Sequence, residues 1–379
     1  MRPILVLRGL DALYYSQLYR VVERVIAGVG AIFCFHRVTE RGHPGGFAPN
    51  AELELRTDFL EDLLAMARAE GWDVVTLDEV RRRLVERDFA RKFVCFTIDD
   101  VYQDTHQLVL PLFRRYDAPF TAFVTTGIPD RSFPIWWFSL EQILRGRDAL
   151  WVPGPQGPRR LDVAGPEAKQ AAYEHLVRLM RRCAAPTAAF ADLCRLNDLT
   201  AEEVVDDIGI TWDGLKAMAD SGLVEIGAHS VNHPCIADLS PEEAEREMAQ
   251  SRRAIEERLG CPVRHFAFPY GHAPAAGPRD FAIARAVGFA TAVTTRKRVL
   301  VPADAGRLHA LPRLVLNGRF QETRYARVLL SGVLGPIESA MLWFSQHVGR
   351  GGRTRGIPDA PASYPDPHDG GDPEKSARV

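Results

Sequence analysis

The chain has 379 residues, 46% of them hydrophobic and 25% charged, with a formal net charge of -2. This is ordinary globular composition with material for a full-sized core. The balance is too near neutral to pull the chain toward nucleic acid, and nothing in it suggests a DNA-binding protein.

The first 29 residues, "MRPILVLRGLDALYYSQLYRVVERVIAGV", are broken by Arg8, Asp11, Arg20, Glu23 and Arg24, and they lack the apolar core and cleavage site of a secretory signal. They read as a helical extension, and the protein is expected in the cytoplasm. Six scattered cysteines agree, offering neither a disulfide framework nor a CxxC metal knuckle.

From residue 30 short apolar runs alternate with amphipathic helical patterns: "GAIFCFH", "TDFLEDLLAMARAEG", "DVVTL", "DEVRRRLVER", "FVCFTID", "THQLVLPLFRRYD", "FTAFVTT". That rhythm predicts parallel strands with helical crossovers. It fails over about residues 128–211, which hold Trp136 and Trp137, the Pro/Gly-rich "VPGPQGPRRLDVAGP" and helical stretches such as "EAKQAAYEHLVRLMRRC". This is read as an insertion after a strand end, where additions are tolerated.

The rhythm resumes with "GLVEIGAH", "SPEEAEREMAQSRRAIEERLG", "VRHFAFP", "GPRDFAIARAVG" and "FATAVTT". Ser240 before Pro241, Glu242 and Glu243 in the first turn, and Gly260 beyond the end punctuate one helix fully. Residues 321–348 read as a C-terminal helical segment. Its apolar part is interrupted by Gly335, Pro336 and Glu338 too early for a bilayer span, so a docked amphipathic helix is preferred to a membrane-surface anchor. Residues 349–379, with almost no apolar anchors, read as a disordered tail.

Two stretches carry chemistry. "KFVCFTIDDVYQD" runs into the adjacent carboxylates Asp99 and Asp100, which repel each other unless something compensates. "VEIGAHSVNHP" sets His229 and His233 four positions apart, a spacing that aims both rings at one ion if the backbone makes a helical turn. Both stretches end predicted parallel strands, where α/β barrels gather catalytic groups. Two histidines and a carboxylate make a three-ligand site with an open position. A cation there lets both aspartates ionise, one as ligand and the other free to accept a proton. The simpler reading, an aspartate capping a helix that starts near Asp104, leaves the histidines unexplained.

These residues resemble the polysaccharide deacetylase family, the carbohydrate esterases that share the NodB homology domain. The first motif, usually Thr-Phe-Asp-Asp-Gly, stands as Thr97, Ile98, Asp99, Asp100, Val101, followed by Tyr102 and Asp104. The second, His-Ser/Thr-x-x-His, is intact from His229 to His233, and "FAFPYG" ends in the Pro269-Tyr270-Gly271 of the third. "FCFHRVTE", "FPIWWFSLEQIL" and "LPRLVLNG" extend the likeness over about residues 30–320.

The resemblance implies an α/β fold, a distorted (β/α) barrel of seven or eight parallel strands, with a divalent ion, zinc, held by Asp100, His229 and His233. It implies Asp99 as general base and a backbone N–H near Tyr270 for the oxyanion. Pro269, Tyr270 and Trp137 are expected at the substrate, with Trp137 either stacking on a sugar ring or anchoring the insertion. The implied reaction is metal-dependent N-deacetylation of an N-acetylglucosamine-type oligosaccharide, polysaccharide or lipid-linked sugar. The alternatives are a catalytically weakened carbohydrate binder and a deformylase or other amidase on a modified sugar. Oligomeric state has no signature here.

Three departures qualify the likeness. Val101 replaces the glycine after the Asp pair, and a β-branched residue tolerates positive φ poorly, so the turn is expected to differ or adopt a conventional conformation. Phe266-Ala267-Phe268 stands where many relatives carry an arginine bracing the base, and Arg313 is the candidate replacement. The late Leu-x-His is absent: His309 in "RLHAL" lacks the spacing, and of the other candidate general acids, His36 and His272, His36 is preferred because it ends a predicted strand.

Overall fold

The computed structural model describes residues 3–26, 28–40, 46–154, 157–182, 186–200, 203–333 and 335. Seven of the apolar runs form parallel strands: β1 (Gly30–Phe35), β2 (Phe93–Asp100), β3 (Phe120–Val124), β4 (Val224–Ala228), β5 (His265–Ala267), β6 (Thr291–Val293) and β7 (Leu314–Val315). Their order is β6-β5-β4-β3-β2-β1-β7. A single parallel bridge, Val293 with Leu311, joins β6 to the segment entering β7 and closes the ring. An eighth strand, Asp73–Val74, pairs only with the start of β2, whose far half pairs with β3. The result has the parallel strands and helical crossovers that the sequence rhythm predicts, arranged as the distorted (β/α) barrel that the family resemblance implies.

Successive strand residues face opposite sides. On β1 and β2 this sends Ile32 and Cys95 into the barrel, where they meet Phe123, Ala267, Val293 and Leu311 in one buried cluster. The helix Leu77–Glu86 contributes Leu77, Val80 and Leu84 to that cluster. The alternate residues, such as Phe33, Phe96, Phe120 and Ile226, face outward into a larger core. Helices Thr57–Ala69 and Pro241–Leu259 supply Leu60, Leu63, Met248 and Ile255 to it. Pro241–Leu259 is bounded as its sequence punctuation requires, by a Ser240–Glu243 capping box and by Gly260 at φ 70°.

The inward position between Glu225 and His229 on β4 is Gly227. A Cβ there would lie 2.5 Å from Cδ1 of the fully buried Phe123. Gly227→Ala is therefore expected to cost about 1–3 kcal/mol through overpacking. Denaturant unfolding checks this, and a loss below ~0.5 kcal/mol would mean the interior is loosely filled.

The chain leaves the strand–helix rhythm between β3 and the helix Trp212–Ala219 that leads into β4. It forms helices Trp136–Arg145, Pro166–Arg182, Pro186–Leu196 and Glu203–Ile208. An antiparallel hairpin, Ala149–Val152 with Arg159–Asp162, lies among them. The sequence pattern misses this hairpin because its second strand, Arg-Arg-Leu-Asp, is mostly charged and solvent-facing.

The N-terminal residues form helices Pro3–Tyr15 and Leu18–Ile26. Leu10 and Tyr19 share a small core with Tyr325 and Val328 of helix Thr323–Leu330. Residues 334 and 336–348 of the expected C-terminal helical segment, and the expected disordered tail, lie outside the described residues. Among the described residues no helix is long and apolar enough to cross a membrane.

Candidate metal and catalytic site

At the C-terminal mouth of the barrel the two aspartates meet different surroundings. Cys95, Thr97 and Asp99 share the inward face of β2, so Asp99 points along the barrel interior toward Arg313, beside β7. The Arg313 guanidinium, fully buried, donates from Nη1 to Asp99 Oδ1 and from Nη2 to Oδ2, each at 2.6 Å. Its remaining donors reach Thr97 Oγ1 at 3.0 Å and the Thr294 carbonyl at 3.1 Å. Burial alone would raise the Asp99 carboxyl, but the forked guanidinium outweighs it and holds Asp99 well below the usual carboxylate range. Asp99 stays ionised at any working pH.

Cys34 Sγ donates to Asp99 Oδ2 at 3.4 Å, and His36, half-buried at the end of β1, joins them: ligand atoms of Cys34, His36 and Asp99 lie within 4.8 Å of one another. Burial pushes the Cys34 thiol well above its ordinary value, so it is a neutral donor and not a nucleophile.

Strand alternation by itself would turn Asp100 to the outer face. A left-handed turn prevents this, with φ 67° at Asp100 and 61° at Val101. The expectation that Val101 would alter the turn is thus incorrect: valine holds the glycine-like conformation. The Val101 N–H donates to the Asp99 carbonyl at 2.8 Å, and its side chain is fully buried, so packing holds a backbone that a β-branched residue would otherwise avoid.

The turn delivers Asp100 Oδ1 to 3.7 Å from His229 Nε2 and 3.4 Å from His233 Nε2. Tyr102, missed as a functional residue in the sequence, donates its hydroxyl to Asp100 Oδ2 at 2.8 Å. The histidines do not sit on a helical turn, contrary to the condition set by their spacing. They flank an irregular loop with Ser230 at φ 65° and His233 at φ 51°. Glu247 clamps that loop, its Oε2 accepting the N–H groups of Val231 at 2.8 Å and Asn232 at 3.1 Å. Strain concentrated in the residues that carry the side chains is common at functional sites.

These groups suit a metal ion. His229 Nδ1 donates to the Ala267 carbonyl at 2.7 Å, which leaves Nε2 with a free lone pair toward Asp100. Burial lowers the His229 pKa to about 4, keeping the imidazole in its neutral, ligating form. Ligands bonded to one tetrahedral ion at ~2.0–2.2 Å stand roughly 3.3–3.6 Å apart, close to the separations here.

The other expected residues fall around this centre. Tyr270 is half-buried with its ring centroid 4.9 Å from that of His233, and Pro269 beside it is buried. Tyr270 adopts φ 62°; Thr295 Oγ1 donates to its carbonyl at 2.8 Å, and the Gly271 N–H is taken by the Pro269 carbonyl at 2.7 Å. Of the two options for Trp137, the contacts favour anchoring over sugar stacking: the residue is 7% exposed and its ring packs on Phe133, Trp136 and His233. It anchors the insertion to the histidine loop. His309 Nε2 bonds the Phe289 carbonyl at 2.8 Å, a structural contact, and His272 is exposed. Arg37 donates to Asp104 at 2.7 Å beside Tyr102, and burial pushes Asp104 up to about 6 despite that partner.

A family model for polysaccharide deacetylases matches residues 86–291. Among solved structures, the Streptococcus pyogenes deacetylase PplD in complex with acetate aligns with a TM-score of 0.51 at 18% identity, covering 79% of this chain and 97% of that one. IcaB from Ammonifex degensii aligns with a TM-score of 0.50 at 20% identity, covering 80% and 97%. At such identities the likeness speaks for the fold. No curated protein matches the chain. The family model nevertheless spans more than half the sequence and runs through both the aspartate pair and the histidine pair, and on that ground the chain belongs to the polysaccharide deacetylase family, hydrolases of carbon–nitrogen bonds other than peptide bonds.

Proposed function

We infer that this protein is a zinc-dependent N-deacetylase acting on an N-acetylglucosamine-type oligosaccharide, polysaccharide or lipid-linked sugar. The observation that carries the reading is the division of labour between neighbours: Asp100 joins His229 and His233, while Asp99 joins Arg313.

Asp100, His229 and His233 would hold the ion, which supplies polarisation of the acetamide carbonyl and a lowered pKa for the attacking water. Tyr102 fixes the Asp100 carboxylate, and the Ala267 carbonyl fixes the His229 ring, so both present their ligating atoms without rearrangement. Asp99, ionised and locked by the guanidinium fork, accepts the proton of the attacking water. Its lowered basicity makes it a weak acceptor, so its contribution depends on its fixed position next to the attacking water. His36, whose ring lies beside Asp99, passes the proton that Asp99 takes from the water on to the sugar nitrogen as the C–N bond breaks. Acetate and a free amine leave.

The test is acetate release from short N-acetylglucosamine oligomers by the zinc-loaded protein, which should stop on chelation and return with zinc. Formate release from a formylated sugar without acetate from any acetylated one would move the assignment to another amidase. Bound zinc with neither product would make the protein a carbohydrate binder.

A further inference from the structure

The opposite, N-terminal end of the barrel holds a second cluster with the makings of a metal site. The inward face of β4 begins at Glu225 and that of β5 at His265, and the helix Leu77–Glu86 brings Asp78 beneath them. Ligand atoms of Asp78, Glu225 and His265 lie within 4.8 Å of one another. His265 is completely buried, and its Nε2 is aimed between two carboxylates, 3.2 Å from Glu225 Oε1 and 3.4 Å from Asp78 Oδ1. Neither contact has hydrogen-bond geometry, and Nε2 is left without a hydrogen-bond partner. The other ring nitrogen, Nδ1, is 2.8 Å from Thr291 Oγ1, which can accept from it and so leave the Nε2 lone pair facing the two acids.

A ring nitrogen without a hydrogen-bond partner, turned toward two carboxylates in a buried place, calls for positive charge between them, carried either by a metal ion or by the ring's own proton, which the two carboxylates favour. The separations of 3.2 and 3.4 Å are long for a charge-assisted hydrogen bond but suit ligands sharing one ion, and they resemble those of the Asp100–histidine group at the other mouth. Glu225 is held ready: it accepts the N–H groups of Leu77 at 2.9 Å and Asp78 at 3.1 Å, and the Thr121 hydroxyl at 2.7 Å. Asp78 is 40% exposed, which gives an ion and its remaining waters a way in. The competing cations are Arg264, whose Nε is 3.0 Å from Asp78 Oδ1 on a half-exposed side chain, and Arg81, which joins His265 and Arg264 in lowering the Asp78 pKa; a solvent-exposed pair such as Arg264–Asp78 is weak beside a bound divalent ion.

The geometry points to a second divalent-metal site formed by His265, Glu225 and Asp78, taking zinc or a similar borderline transition metal and pinning the helix Leu77–Glu86 to the starts of β4 and β5. One imidazole with two carboxylates suits such an ion better than it suits calcium or magnesium, which favour all-oxygen ligands.

The experiment is zinc stoichiometry by elemental analysis of the full chain, stripped with chelator, reloaded with zinc and dialysed. Wild type should retain about two ions per chain, Asp100→Asn about one, and Asp78→Asn with Asp100→Asn none. Zinc should raise the Tm of Asp100→Asn and leave the Tm of the double variant unmoved. Asp78 is half-exposed, so its substitution tests the site even if His265→Gln fails to fold. One ion in wild type and none in Asp100→Asn would overturn the second site and leave the first intact, the result expected if a proton sits on His265 instead. Zinc retained equally by the double variant would be surface binding and would overturn it too. Zinc lost from Asp78→Asn but not from Asp100→Asn would support this site while removing the proposed catalytic one.

Discussion

Asp100→Asn is expected to empty the catalytic metal site and lower turnover by roughly 10³-fold or more, while Asp99→Asn keeps the ion and lowers turnover by roughly 10²–10⁴-fold. The two residues are adjacent and equally buried, so burial alone predicts no difference between them. Their partners do. Asp100 faces two imidazoles and no guanidinium, so an amide there removes the only negative charge among three ligands. Asp99 is engaged by Arg313 on both oxygens, and in the proposed mechanism it contributes charge and proton acceptance without being needed to hold the ion. Metal analysis beside single-turnover acetate release separates the two, with both variants assayed below their melting temperatures. If Asp99→Asn lost the ion and Asp100→Asn kept it, the assignment of ligand and base would be reversed.

Much of the fold was legible because parallel strands buried on both faces read as short apolar runs, and helices between them keep a 3.6-residue period. The site was legible where chemistry concentrates in types that strands rarely bury, as with Asp99, Asp100, His229 and His233. What the sequence hides is direction. Period-two counting back from Asp99 gives the inward face, but nothing in Asp100-Val101 announces that a left-handed turn returns Asp100 to the mouth when valine stands in the place of glycine. Tyr102 and Glu247 act by hydrogen bonds reaching across a turn and from a separate helix, so spacing along the chain does not reveal them. Trp137 is ambiguous for another reason, since an aromatic beside a candidate sugar site suits stacking and packing equally in the sequence, and its 7% exposure fits packing.

Arg313→Met should cut turnover at least ~10²-fold with zinc content unchanged, and it should destabilise the fold by about 3–5 kcal/mol at neutral pH, because it strands a buried carboxylate. The sign of the pH dependence follows from the pair. In wild type Asp99 sits below its unfolded value of about 3.9, so the pair's stabilisation is fully present above that pH and fades as acid protonates the carboxylate. Without Arg313 burial dominates and raises Asp99 above its unfolded value, so the variant loses stability as pH climbs from about 4 toward neutrality. The stability gap between the two proteins should therefore be widest at pH 7 and smaller near pH 4, where the variant's penalty is relieved while the wild-type pair is still intact, as measured by denaturant unfolding at each pH. Asp99→Asn combined with Arg313→Met should be less destabilised than the sum of the single changes, since each alone leaves the other's charge buried and unpaired. A gap of equal size at both pH values, with additive single effects, would mean that Arg313 supports the barrel through packing on Phe123 and its bonds to Thr97 and Thr294, and that Asp99 takes its ionised state from another source.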